Sequence, residues 1–137
     1  MTEFGLPLRV YIEDTDAGGI VFYVNYLKYM ERARTEFMRA KGFAKNEIMN
    51  DALMFVVSEL KTKYLRSARL DEQLFVTATV IAAAKASMVF EQRVYRDQEL
   101  LCDAQVKVAC VDRVSLKPKR IPQALLAALG VDNKHQE

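Results

Sequence analysis

The sequence contains a single histidine, His135, and this scarcity removes several classes of active site. His135 stands after the last apolar run, in a polar segment where we expect a flexible tail. A Ser-His-Asp or Cys-His nucleophile and a histidine-rich metal site therefore lack their essential residue, unless the tail folds back. The chemistry must then come from carboxylates, backbone groups and water, and we expect no metal and no bound cofactor.

Cysteine is also scarce, and its two residues do not predict a disulfide. Cys102 and Cys110 fall in one strand-like segment. Their separation predicts about 27 Å between them, whereas a disulfide requires Cα atoms within about 7 Å. Their equal parity puts both side chains on one face of the strand, where buried packing is the expected role.

Long apolar runs and an excess of one charge are absent as well. No run of about 18 apolar residues exists, so no transmembrane helix is predicted. The first four residues lack the basic and apolar regions of an export signal, which makes the cytoplasm the expected location. The net charge is only +2, and no long basic block with interleaved aromatics occurs, so nucleic-acid binding is not predicted.

The residues that are present predict one α+β domain. The 137 residues, 51% hydrophobic and 28% charged, fit a single domain at 1–130 followed by a flexible tail at 131–137. Apolar residues at helical spacing predict a helix of about 16 residues that ends at Gly42. The apolar positions are Tyr26, Met30, Ala33, Phe37 and Ala40.

Alternating apolar residues predict five strands. These lie at 8–13, 53–65, 73–84, 88–97 and 100–112. Short joints separate the last four strands, which indicates an antiparallel meander. A short amphipathic helix around Gln123–Leu129 follows two prolines and ends at Gly130. One long helix and one curved sheet make a two-layer α+β fold.

The stretch 13–26 is the most informative part of the sequence, because it passes from a strand through acid and glycine directly into a helix. It places Asp14 and Asp16 beside a helix N-terminus, whose unpaired N–H groups can polarise a carbonyl oxygen. This arrangement suits acyl transfer. The plainer interpretation is that both aspartates cap a turn. Gly18 and Gly19 are turn glycines, or they leave room for an acyl thioester to approach the backbone.

Three patterns extend this stretch along the chain. They are Tyr-x-Glu-Asp-Thr-Asp-Ala-Gly-Gly at 11–19, Tyr-x-Glu-Arg-Ala-Arg-Thr-Glu at 29–36 and Lys-Pro-x-x-x-Pro at 117–122. Together they resemble the hot-dog-fold thioesterases of the 4-hydroxybenzoyl-CoA type, and most closely their Tol–Pal-associated branch. The resemblance implies a central helix wrapped by a five-stranded sheet, in units paired edge to edge as a homodimer or homotetramer. It also implies an active site at the dimer interface.

The resemblance implies hydrolysis of acyl-CoA to a free acid and coenzyme A. In that family the second acid of the first motif, here Asp16, attacks the thioester carbonyl or activates a water as general base. The backbone N–H of Tyr23 would donate to the thioester oxygen. Position 12 is Ile where relatives often have Tyr, and position 23 is Tyr where many members of the branch have His. A mechanism that uses those side chains is therefore not carried over.

The phosphates of coenzyme A call for cations near the cleft mouth. Lys85 and Ser87 lie in a joint that aligns with the phosphate-holding segment of the benzoyl-CoA enzymes, so we expect them to bind substrate. Alternative cations are Lys61, Lys63 and Arg66, with the cluster at 117–120 as a weaker choice. Glu31 is an alternative second acid, although helical charges are mostly solvated or paired.

Three other functions match parts of the sequence. The spacing of the two aspartates matches the start of an EF-hand calcium loop. Gly18 and Asn25, however, stand where the third ligand and the bidentate Glu of such a loop should be. A hot-dog dehydratase or hydratase needs a histidine beside its acid, and the predicted domain contains none. A non-catalytic partner of acyl carrier protein, or of an envelope complex, is the alternative to an enzyme.

Overall fold

The computed structural model describes residues 3–43 and 52–129. These ranges contain six strands and two α-helices, which confirms the α+β class. The elements are β1 (Gly5–Arg9), α1 (Asn25–Ala40), β2 (Leu53–Tyr64), β3 (Gln73–Thr77), β4 (Thr79–Ala83), β5 (Ser87–Arg96), β6 (Glu99–Asp112) and α2 (Gln123–Leu129). A 3₁₀ turn, Ile12–Asp14, lies between β1 and α1.

The strands form one sheet in the order β1-β3-β5-β6-β2, and β4 also pairs with β5. β1 runs antiparallel to β3 with Gly5 opposite Thr77, and β3 runs antiparallel to β5 with Phe75 opposite Tyr95. The predicted meander is correct for the segments 73–84, 88–97 and 100–112, because β3 and β4 both pair with β5, and β5 pairs with β6. It is wrong for β2, which lies beside β6 instead of β3.

The joint at 65–72 explains the position of β2. It is anchored at both ends, because the Leu65 N–H donates to the Leu101 carbonyl at 2.8 Å and the Asp71 N–H donates to the Val10 carbonyl at 2.9 Å. The joint therefore leads from β6 to the residue that follows β1. A tight turn would have kept β2 and β3 adjacent. No local sequence pattern distinguishes a tight turn from a connection that crosses to another part of the sheet.

Two predicted strand boundaries are wrong. The strand expected at 73–84 is divided at Ala78, whose N–H donates to the Phe4 carbonyl at 3.1 Å, and this division raises the strand count from five to six. The strand expected at 8–13 ends at Arg9, because the Asp14 carboxylate accepts the Tyr11 N–H at 2.9 Å and closes the 3₁₀ turn. Ile12 is consequently 76% exposed.

The predicted helices are confirmed. α1 contains 16 residues, and Gly42 follows it in the left-handed conformation with φ of 94°. α2 spans the predicted residues, and the Leu125 N–H donates to the Pro122 carbonyl at 3.0 Å. The expected end of α2 at Gly130 and the tail at 131–137, including His135, lie outside the described residues.

The described residues fall into two compact units. The first comprises 3–37, 61–79 and 91–104, and the second comprises 38–43, 52–60, 80–90 and 105–129. Strands β2, β4, β5 and β6 and helix α1 contribute residues to both. The single domain expected at 1–130 stays a prediction.

In the first unit, one face of α1 is buried together with alternating strand residues. The buried hydrophobic residues of this unit are Val10, Val21, Tyr26, Tyr29, Met30, Ala33, Phe37, Ala68, Leu74, Val76, Ala78, Val94, Leu101, Cys102 and Ala104. The helical periodicity correctly identifies four of these residues on α1, namely Tyr26, Met30, Ala33 and Phe37, whereas Ala40 at the end of the helix is exposed.

The second unit has a core of its own. Its buried hydrophobic residues are Met38, Leu53, Val80, Ala83, Met88, Phe90, Val106, Val108, Cys110, Val111, Ile121, Leu125, Leu126 and Leu129. Both cysteines of the chain are buried free thiols, as predicted. Burial raises the pKa of each thiol. No helix in the described ranges is long and apolar enough to cross a membrane.

Gln92 on β5 is a fully buried polar side chain that ties α1 to the sheet in the first unit. Its amide nitrogen donates to the carbonyls of Met30 at 3.0 Å and Thr77 at 3.1 Å. Its amide oxygen accepts the Arg34 guanidinium at 2.9 Å. A buried amide is tolerated because its bonds replace those it made to water.

We expect Gln92→Leu to lower the free energy of unfolding by about 1–3 kcal/mol, because the half-buried Arg34 guanidinium loses its side-chain acceptor. Denaturant unfolding followed by circular dichroism measures the change. Gln98→Leu, in the exposed turn between β5 and β6, is the matched control and should stay within about 0.5 kcal/mol of wild type. Equal stability of the two variants would contradict a structural role for the Gln92 bonds.

Candidate active site

A short loop between β1 and α1 carries the acidic motif. Thr15 pairs with Val21, the Asp16 N–H donates to the Ile20 carbonyl at 2.9 Å, and the Gly19 N–H donates to the Asp16 carbonyl at 3.0 Å. Gly19 has φ of 78°, a conformation that favours glycine. The turn alone thus accounts for this glycine.

Asp16 caps its own turn and also remains accessible. Its Oδ1 accepts the Gly18 N–H at 2.9 Å, and the side chain is exposed. Oδ2 has no hydrogen-bond partner within residues 3–43 and 52–129. The capping interpretation and the catalytic interpretation are therefore compatible at this residue, because each uses a different oxygen.

Asp14 acts as the structural acid of the motif. Its carboxylate holds the Tyr11 N–H, while its carbonyl accepts the Phe22 N–H at 3.0 Å and the Asn25 side-chain amide at 2.8 Å. Asn25, at the first position of α1, is only 9% exposed. These bonds hold the loop that carries Asp16 against the start of the helix.

The helix start offers donors that lack acceptors. Bonds from the N–H groups of Asn25 and Tyr26 to the carbonyls of Phe22 and Tyr23 form the first turn, at 2.8 and 3.3 Å. In the described part of the chain, the N–H groups of Tyr23 and Val24 have no acceptor. Such N–H groups carry the partial positive charge of a helix N-terminus, so they can bind a developing oxyanion.

Asp16 and Tyr23 line the same cavity in the first unit. The cavity has a volume of about 370 Å³. Its lining residues are Asp16, Ile20, Val21, Phe22, Tyr23, Tyr26, Tyr64, Leu65, Arg66 and Ser67. The structure thus brings together the two predicted catalytic residues, one acidic and the other at the helix start.

The second wall of the cavity was missed from the sequence, except for Arg66, which appeared only as an alternative phosphate contact. Tyr64 ends β2 and is followed by the start of the 65–72 joint. The N–H groups of Leu65 and Arg66 both donate to the Leu101 carbonyl, at 2.8 and 3.1 Å. The distant pairing of β2 with β6 brings this wall to the loop, so no local motif marks it.

Aromatic rings connect the two walls. Tyr64 makes an edge contact with Tyr23 at 5.6 Å between ring centroids and a tilted contact with Tyr26 at 5.7 Å. The Tyr26 hydroxyl accepts the Ala68 N–H at 2.9 Å. Burial raises the pKa of both Tyr26 and Tyr64, so these phenols stay neutral near pH 7.

An ion-pair network holds the segment that follows the cavity wall. Arg66 pairs with Glu99 at 3.0 Å, and Arg96 pairs with Glu99 and, at 2.7 Å, with Glu72. Arg96 also donates to the Ser67 carbonyl at 3.1 Å. The network anchors the backbone at both ends of the segment 66–72.

The remaining predicted residues lie outside the cavity lining. Gly18 and Gly19 lie in the turn beside Asp16. Lys85 and Ser87 lie at the turn between β4 and β5 in the second unit, and the exposed Lys85 uses its carbonyl to accept the Ile121 N–H at 2.8 Å. Glu31 is exposed on α1.

No described His, Cys, Asp or Glu side chains form a group of three or more that could hold a metal ion. The calcium loop considered for the aspartate motif therefore has no ligand cluster among these residues.

Comparison with known proteins gives a consistent family match. Residues 10–129 match the model of the thioesterase-like superfamily. The chain is 44% identical over 126 residues to the acyl-CoA thioesterase YbgC of Haemophilus influenzae, covering 91% of this chain and 93% of that protein. It is 39% identical over 127 residues to the acyl-CoA thioester hydrolase YbgC of Escherichia coli O6:H1, covering 92% and 95%.

A solved structure is similar to this chain in both fold and sequence. The probable thioesterase from Bartonella henselae superposes with a TM-score of 0.81 at 30% identity, covering 89% of this chain and 99% of that one. These strands and helices therefore have the hot-dog fold, as the sequence predicted.

Proposed function

This chain belongs to the thioesterase-like superfamily and hydrolyses acyl-CoA thioesters, and we propose that Asp16 and the Tyr23 N–H carry the reaction. The observation that carries the proposal is the cavity of about 370 Å³ that both residues line. An acid and an unpaired donor in one cavity are the two groups that acyl transfer needs.

Asp16 supplies the reactive oxygen through Oδ2. In one route this oxygen attacks the thioester carbonyl carbon, expels the coenzyme A thiolate and leaves a mixed anhydride that water hydrolyses. In the other route it removes a proton from a water, which attacks the same carbon and expels the coenzyme A thiolate to leave the free acid. The bond from Gly18 to Oδ1 supports either route, because it orients the carboxylate while leaving Oδ2 available.

Tyr23 acts through its main chain. Its N–H has no acceptor among the described residues, so it can donate to the thioester oxygen as negative charge develops there. The Tyr23 ring packs on Phe22 and Tyr64, with centroid distances of 5.1 and 5.6 Å. The side chain therefore positions the helix start and forms part of the acyl-group wall.

Four further residues are proposed to bind substrate. Gly18 and Gly19 form the turn beside Asp16, where the absence of side chains leaves space for the thioester. Lys85, with Ser87 beside it, would bind a phosphate of coenzyme A. Lys85 is exposed and its described surroundings include no ion-pair partner, which supports this role.

We also propose that the active protein is a homodimer or homotetramer in the cytoplasm. β1 and β2 form the two ends of the sheet order, and exposed strand edges favour pairing with another chain. Acyl carrier protein is a proposed partner that would deliver acyl thioesters in place of coenzyme A. An association with the Tol–Pal system is proposed from the family branch.

Asp16→Asn should lower kcat for acyl-CoA hydrolysis by at least about 10²-fold, because the amide is neither a nucleophile nor a base. A thiol reagent measures coenzyme A release from short aliphatic, benzoyl and palmitoyl thioesters. Asp14→Asn is the control, and it should lower stability more than it affects chemistry. No thiol release by the wild type with any thioester would favour a binding module, and an active Asp16→Asn beside an inactive Asp14→Asn would identify Asp14 as the catalytic acid.

Tyr23→Pro should lower kcat by about 10²–10³-fold, because it deletes the proposed donor N–H. That N–H makes no hydrogen bond among the described residues, so proline removes none of the bonds that hold the loop. Tyr23→Phe should change kcat little. Tyr23→Ala separates loss of the ring from loss of the N–H. A folded Tyr23→Pro protein with nearly full kcat would contradict the backbone mechanism, whereas an inactive Tyr23→Phe would assign the role to the hydroxyl.

Lys85→Glu should raise KM for acyl-CoA much more than it lowers kcat, because a phosphate contact exists both before and during the reaction. Added salt should reproduce part of the effect in the wild type. Lys107→Glu, at an exposed position of β6, is the matched control. An unchanged KM in Lys85→Glu would mean that Lys85 is a solvated surface residue that does not contact the substrate.

A further inference from the structure

The turn that follows β6 presents two aliphatic side chains to solvent. Val114 is 88% exposed and Leu116 is 59% exposed. Both belong to residues 112–120 of the second unit. We call this segment the basic turn. A single exposed aliphatic residue is ordinary, but two such residues at the apex of one turn require a further explanation.

The basic turn is built so that its apex points outward. The Asp112 carboxylate accepts the N–H groups of Val114 at 3.1 Å and Ser115 at 2.9 Å. The Leu116 N–H donates to the Asp112 carbonyl at 2.9 Å, and the Asp112 N–H donates to the Lys117 carbonyl at 2.8 Å. Leu116 has φ of 64°, an uncommon conformation for a leucine. The exposure of these side chains is therefore a property of an ordered, hydrogen-bonded turn.

Four cations surround the apex. They are Arg113, Lys117, Lys119 and Arg120. Asp112 is the only acid of the segment, so its net charge is +3. The whole chain has a net charge of only +2, so the positive charge is concentrated here. Lys119 approaches Asp112 at 3.9 Å. Among the described residues, the side chains of Arg113, Lys117 and Arg120 form no ion pair.

We propose that the basic turn binds the surface of an anionic lipid bilayer, with Val114 and Leu116 inserted among the headgroups and the cations facing lipid phosphates. Aliphatic groups flanked by Lys and Arg are the combination that binds such an interface. Nucleic acid fits less well, because the turn contains no aromatic ring on which a base could stack. A protein partner fits less well, because four cations within nine residues call for a surface as densely anionic as a lipid bilayer.

The bilayer assignment predicts weak, reversible and salt-sensitive binding. Each Lys or Arg near an anionic surface contributes about fivefold to the partition coefficient. Two inserted aliphatic side chains contribute an additional apolar term that remains at high salt. Both contributions are needed, so loss of either should reduce binding.

Co-sedimentation of the full chain with vesicles tests the proposal. The vesicles contain phosphatidylcholine alone or phosphatidylcholine with phosphatidylglycerol. We expect binding to the anionic vesicles only. Lys117→Gln should lower the partition coefficient about fivefold, and Val114→Ser combined with Leu116→Ser should lower it at least about tenfold. Thermal unfolding verifies that each variant folds.

Matched controls separate the basic turn from general surface effects. Lys107→Gln removes an exposed cation from β6, and Ile81→Ser removes a 41% exposed aliphatic side chain from β4. Both should bind vesicles like the wild type. Free coenzyme A should not displace the protein from vesicles, because its phosphates are expected at Lys85 and not at the basic turn.

Several results would overturn the proposal. These are equal binding to neutral vesicles, loss of binding in the control variants, and displacement by coenzyme A. Absence of vesicle binding would also overturn it, including the case in which the turn variants instead lose binding to RNA, to an acidic protein or to a second copy of the chain.

Discussion

The main-chain carbonyl of Asp14 is the acceptor on which the candidate site depends. It holds both the Phe22 N–H and the Asn25 side-chain amide. A carbonyl that accepts from two donors in different directions restrains the loop against both swinging away from the helix and rotating about it. Asp16, the proposed catalytic acid, and the Tyr23 N–H consequently lie at one cavity, and a small displacement between such groups is costly for catalysis.

The two acids of the motif show how identical side chains acquire different roles from their surroundings. The Asp14 carboxylate accepts a backbone N–H in the 3₁₀ turn that ends β1, whereas Asp16 uses one oxygen for its turn and exposes the other. Gln92 has a structural role in the same unit, since its side chain on β5 bonds to α1 and β3. Hydrogen bonds of polar groups thus fix the positions of the loop and of α1, while the apolar core holds the helix against the sheet.

Much of the fold was predictable from local patterns, and the exceptions have physical reasons. α1 and the buried Cys102 and Cys110 follow directly from periodicity. The alternation of Val10 and Ile12 imitates a strand, although the Asp14 carboxylate terminates the strand earlier. Asp16 and Tyr23 could be proposed as site residues from the sequence, because they lie in one short motif. The wall that begins at Tyr64 could not, because it is supplied by strand pairing between residues far apart in sequence.

The burial of the two cysteines has a practical consequence for work with this protein. Cys102 and Cys110 are both inaccessible to solvent, and burial raises the pKa of each thiol, so little reactive thiolate is present while the chain is folded. A colorimetric thiol reagent added during turnover will therefore register the released coenzyme without a background from the enzyme. After denaturation the same reagent will titrate two groups per chain, and so it can serve as an independent readout of unfolding.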